Sequence, residues 1–155
     1  MSRKKKFLVK VCEPRFIHYT APNKEKGIDE DITIMEGKYA LPWRTLTDTS
    51  ITERALAKVD RLKKVFPDVS IEFNFIKENP AFILGVSGKA IRHSGDTPNQ
   101  SIGDMVARAR AMAKACEVGR SIAVAVRDSL IAELNGAAAT FKARREREKR
   151  NIKKV

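Results

Sequence analysis

At 155 residues, 43% hydrophobic and 32% charged, with a formal net charge of +12, the chain can bury one core without disulfides or metal but is short for a second full domain. Its two cysteines, Cys12 and Cys116, lie far apart and outside any CxxC pair, which argues against a disulfide framework or zinc cluster and for two small buried hydrophobes. No apolar run approaches the roughly 18 residues that span a bilayer, and the basic head "MSRKKK" precedes too short an apolar segment for a signal peptide, so the expected location is cytoplasmic, with no membrane partner.

In chain order, "FLVKVCE" reads as a strand with Phe7, Val9 and Val11 on one face, ended by Pro14. "RFIHYT" is a second short extended piece, and "APNKEKGIDED" a polar loop punctuated by Pro22 and Gly27. "DITIMEGKYALPW" offers alternation at Ile32 and Ile34, a turn at Gly37, and an extended run stopped by Pro42. A helix follows, because "TSITERALAKVDRLKKVFP" places Ile51, Ala55, Leu56, Val59, Leu62 and Phe66 on one stripe. Ser50 and Glu53 form a capping box before it, and Pro67 forbids its continuation.

"VSIEFNFIK" alternates Val69, Ile71, Phe73 and Phe75 against Ser70, Glu72 and Asn74, and should pair as an antiparallel hairpin with "AFILGVSG", an apolar strand weakened at Gly85. The segment "GKAIRHSGDTPNQS" is rich in turn formers and leads into a helix whose apolar face holds Ile102, Met105, Val106, Ala109, Met112, Ala113 and Cys116, with Gly119 as a plausible stop. Beyond it, Ile122, Val124 and Val126 alternate as a buried strand would. However, positions 102, 109, 116, 123, 130 and 137 are seven apart and none is charged. A stripe that keeps phase across Gly119 favours a helix that continues, or restarts with little interruption, although glycine costs about 1 kcal/mol in a helix interior.

These elements make the chain α+β: a small, mostly antiparallel sheet with helices packed on one face and a long, helical, basic C-terminal third. The charge divides it into a basic arm (residues 1–10), a single α+β domain (11–140) and a basic C-terminal helix or tail (141–155). The first ten residues carry +5 and residues 136–155 carry +6, which leaves +1 for everything between. Charge gathered at ends creates the local positive potential that polyanions feel.

The leading expectation is therefore a non-enzymatic nucleic-acid-associated protein that neutralises the phosphate backbone of DNA or RNA. The cations are Lys4, Lys5 and Lys6 at one end and Lys142, Arg144, Arg145, Arg147, Lys149, Arg150, Lys153 and Lys154 at the other. The alternative is an interaction or assembly module that packs through the Ala-rich helical stripe of residues 102–137 on a partner or as a homo-oligomer; an acidic protein partner would be attracted by the same basic ends.

Other candidates rank below these. Lys89, Arg92, His93, Ser94, Thr97 and Asn99 supply donors before a helix N-terminus and suggest an anion-binding loop, although neither a P-loop nor a GxGxxG motif is present. A Cys–His pair would need His18 or His93 oriented by a carboxylate such as Asp96. Asp29, Glu30 and Asp31 read as a solvated acidic loop without further metal ligands, and no cofactor motif occurs. Tyr39 and Trp43, beside Lys38 and Arg44, are candidate stacking platforms for single-stranded bases.

Overall fold

The computed structural model describes residues 7–92 and 100–153. Five strands form one antiparallel sheet: β1 (Val9–Lys10), β2 (Arg15–Asn23), β3 (Ile28–Pro42), β4 (Ser70–Ile76) and β5 (Asn79–Arg92). The order is β1-β3-β5-β4, with β2 also on β3 and on the same side as β1, since β1 takes Tyr39 and Ala40 while β2 takes Ile28 to Glu36. Among the described residues three helices accompany the sheet: α1 (Trp43–Leu46), α2 (Glu53–Val65) and α3 (Gln100–Lys153). The fold is α+β.

The sheet's register decides which side chains meet the helices. Side chains directly opposite in an antiparallel pair share a face, so Met35, Tyr39 and Leu41 of β3 lie with Gly88, Leu84 and Phe82 of β5. All of these residues are buried. With Val59 and Phe66 from the α2 region, Trp43 of α1 and the inner stripe of α3, they form one core. Trp43 joins it with its ring 6.2 Å from Phe82, and its indole N–H donates to the Thr49 carbonyl at 2.7 Å. That bond satisfies the one polar atom the ring would otherwise bury unpaired.

Helix α2 and the β4–β5 hairpin follow the sequence pattern. Ala55, Val59 and Phe66 are buried, while Ile51, Leu56 and Leu62 pack against the core. The cap is not Ser50, however. Thr52, in extended conformation directly before the helix, accepts a hydrogen bond from the Ala55 N–H at 3.3 Å and so removes the need for the box two residues earlier. The hairpin turns through Lys77 and Glu78, both at positive φ as a two-residue turn matched to strand twist requires.

Several expectations about strand limits are corrected. Gly37 makes no turn, because β3 runs unbroken from Ile28 to Pro42, with strands on both sides supplying hydrogen bonds and the Tyr39 ring lying over the glycine. The first strand shrinks to two residues, and Phe7, Val9 and Val11 are exposed at the sheet margin. Ala21–Asn23 and Ile28–Asp31 extend strands where a loop was expected, so the acids are not a solvated loop. Glu30 is buried and accepts from Asn23 Nδ2 at 2.5 Å, and Asp31 pairs with Arg92 and accepts from Thr20. The turn-rich segment begins later than expected, since Gly88 to Arg92 belong to β5.

The largest feature is α3, one uninterrupted helix of 54 residues that passes through Gly119 and resolves 121–127 as helix. Its buried stripe is Ala107, Ala111, Ala115, Val118, Ile122, Val126 and Ser129. The seven-residue seam read from sequence points elsewhere over its first half, where Ile102, Ala109 and Cys116 are exposed, while Ala123 and Leu130 further on are half-buried. The reason is close approach. A Cβ on Gly88 would fall on the Ala107 carbonyl oxygen and 2.5 Å from the Ala111 nitrogen, so backbone lies nearly on backbone and only small residues fit between. Alanine takes the inner face there and the bulkier residues are left outside.

Candidate nucleic-acid interface

From Leu134 to Lys153 every residue of α3 is exposed. At about 1.5 Å per residue this is an arm of roughly 30 Å, with Lys142, Arg144, Arg145, Arg147, Lys149, Arg150 and Lys153 distributed around its circumference. Cations near a helix C-terminus are favoured by the macrodipole, but dipole compensation needs only the last turn, and these occupy three.

Some cations of the body are paired, whereas others there, such as Arg54, Lys58 and Arg61, have no ion pair among the described residues. Lys10 meets Glu13 at 2.5 Å, Lys63 meets Asp60 at 2.9 Å, Arg92 pairs with Asp31, and Lys114 lies 3.7 Å from both Asp68 and Glu117. Among the described residues, none of the seven cations from Lys142 to Lys153 is ion-paired to a carboxylate. Glu146 and Glu148 offset only part of this charge, and solvent ions, which a polyanion displaces, screen the rest.

The sheet also relates the two ends of the chain. Val9 pairs with Ala40 and Lys10 with Tyr39, so the chain, traced back towards its start, runs towards Pro42, where α1 begins. Leu46 and Thr47, at the end of α1, border a groove with Ala123, Val126 and Leu134 of α3, at the root of the exposed arm. Val9 and Lys10 thus pair at the end of the sheet from which the C-terminal arm leaves. Lys4, Lys5, Lys6 and Lys154 themselves lie outside the described residues.

The remaining candidates fall only in part on the described residues. Of the anion-loop residues, His93, Ser94, Thr97 and Asn99 lie outside the described residues. Lys89 and Arg92 both belong to β5, three residues apart and therefore on opposite faces of the sheet. Arg92 is occupied by Asp31, and the Lys89 carbonyl accepts from Arg110 Nη1 at 2.6 Å. The stacking role for Tyr39 and Trp43 is overturned, because both are buried in the core. Both cysteines are exposed rather than buried: Cys12 at the sheet margin, and Cys116 on the outer stripe of α3.

One polar cluster escaped sequence reasoning because its members come from three elements. His18 of β2 has Nδ1 3.2 Å from Thr33 Oγ1 on β3 and Nε2 3.2 Å from Asp104 Oδ1 on α3. The order hydroxyl–imidazole–carboxylate invites comparison with a nucleophilic triad, but the surroundings do not fit one. Thr33 is buried, and a Cβ on Gly103 would stand only 2.9 Å from its hydroxyl, so backbone closes the nucleophile's approach from the α3 side. The Asp104 contact is an ion-pair distance without hydrogen-bond alignment. The cluster works as a clamp that fastens the edge strand β2 to the first turns of α3.

Among the described residues no group of three or more His, Cys, Asp or Glu could hold a metal ion, and no helix is long and apolar enough to cross a membrane. Fold and site together define a class: a helix-covered antiparallel sheet bearing a projecting, unneutralised cationic helix. No known protein family, curated protein or solved structure matches the chain.

Proposed function

We propose that the protein is a non-enzymatic, nucleic-acid-associated protein whose α+β body carries two basic ends onto the phosphate backbone of DNA or RNA. The observation that supports this best is the unpaired state, among the described residues, of seven cations on the stretch of α3 from Leu134 to Lys153, in which every residue is exposed. A helix end kept for stability would bury an apolar stripe or pair its charges, and this one does neither. Cations on all sides of the helix suit a sequence-independent contact to phosphates, which positions without specifying.

The test is a gel-shift titration of duplex DNA and folded RNA at 50 and 200 mM salt, with the full chain and with a chain ending at Phe141. With six or more phosphates engaged, affinity of the full chain should fall about a thousandfold or more between the two salts. The shortened chain should bind far more weakly at low salt and with a shallower salt slope. Equal binding by the two chains at low salt would refute the assignment to this arm.

A further inference from the structure

The outer surface of α3 carries a second apolar stripe that the chain does not cover itself. On its distal half this includes Ile131, Leu134 and Phe141, which are 47%, 70% and 70% exposed. Beside the first two lies an open groove of about 220 Å³, walled by Leu46 of α1 and by Ala123, Leu130, Ile131 and Leu134 of α3. Phe141 stands seven residues beyond Leu134, about 10 Å along the same helix and on nearly the same face. A continuous helix cannot bend back to put that ring into its own groove. The chain therefore carries a socket and a plug on one surface and cannot join them.

The geometry points to a second copy of this chain as the occupant, paired antiparallel through the distal halves of α3. With the two-fold axis between Ala137 and Ala138, each Leu134 faces the other copy's Phe141, and each Phe141 enters the other copy's groove. Such self-complementarity is what an isologous two-fold interface requires. Gly136, Ala137, Ala138 and Ala139 lie at the axis, where helices approach most closely.

Charge selects the direction. Residues 142–153 carry seven cations and two acids, net +5, whereas residues 122–133 carry Arg127 against Asp128 and Glu133, net −1. Parallel pairing would lay +5 beside +5. The antiparallel arrangement lays each basic segment on the other copy's slightly acidic one, bringing Glu133 within a turn of Arg144 and Arg127 level with Glu148. It also holds the centres of the two basic segments about 30 Å apart along the helices. This proposal does not rest on the nucleic-acid reading and stands or falls by its own test.

Light scattering with size exclusion on the full chain should give a dimer that persists at 0.5 M salt. Phe141→Asp and Leu134→Asp should each give a monomer with an unchanged circular dichroism spectrum, since both positions are exposed. Met105→Asp, equally exposed but outside the overlap, should remain dimeric. In a Cys12→Ser, Cys116→Ser background, Ala138→Cys should cross-link to itself on mild oxidation, while Lys149→Cys should not. A full-length monomer at 50 μM, a dimer that survives Phe141→Asp, or cross-linking at 149 as efficient as at 138 would each overturn the proposal.

Discussion

The two halves of α3 share one backbone and differ in nearly everything else. Up to Ser129 the helix is held from below: Ala107 and Ala111 against Gly88, Val118, Ile122 and Val126 in the core, and Asp104 clamped to His18. From Leu134 onward nothing holds it, its apolar residues face outward, and its cations have no carboxylate partners among the described residues. The comparison shows that a continuous helix need not be a single functional unit. The first half contributes stability through burial, and the second is left free to contact something else.

Substitutions can break this contrast or sharpen it. The largest effect is expected at Gly88→Ala, where the new methyl meets helix backbone that cannot rotate away; a loss of about 3 kcal/mol or more in urea unfolding is expected. A loss below about 1 kcal/mol would mean that α3 can shift away from the sheet to make room for the methyl. Ile122→Ala, a fully buried truncation, should cost roughly 3 kcal/mol by the same measurement. Phe141→Ala, in dilute monomer, should cost less than about 0.5 kcal/mol although it removes more atoms.

Smaller effects probe the polar groups of the first half. Ser129 is fully buried and its hydroxyl has no hydrogen-bond partner among the described residues, so Ser129→Ala should raise stability by about 1 kcal/mol, read as a higher melting temperature. His18→Ala should cost about 1 kcal/mol. Hydrogen exchange should place that loss in β2 and the first turns of α3 and leave the distal arm unaffected. Protection lost evenly along the whole helix would show that the two halves are coupled after all.

Much of the fold was legible in the residues. The alternation in "VSIEFNFIK" implied a half-buried strand, the stripe from Ile51 to Phe66 implied a helix, and the phase of the seven-residue repeat carried helix across Gly119. Strand limits were less legible. Gly37 and Gly88 look like turn formers in isolation, but ladder hydrogen bonds from neighbouring strands hold both extended. The His18–Thr33–Asp104 clamp had no local signal at all, because its members are joined only by sheet register and helix placement.

The sequence by itself determined the α+β class, the length of unbroken helical phase in the C-terminal third and the gathering of charge at the two ends. All three follow from composition and periodicity, which are properties of the chain before it folds. Only the tertiary structure decided which of the two apolar stripes of α3 faces inward. Periodicity gives the spacing of a stripe but not its direction. Hydrophobicity alone would favour Ile102 and Met105, whereas the sheet at Gly88 comes so close that Ala107 and Ala111 are the residues that fit. That choice turned the larger residues outward and left α3 with an uncovered surface.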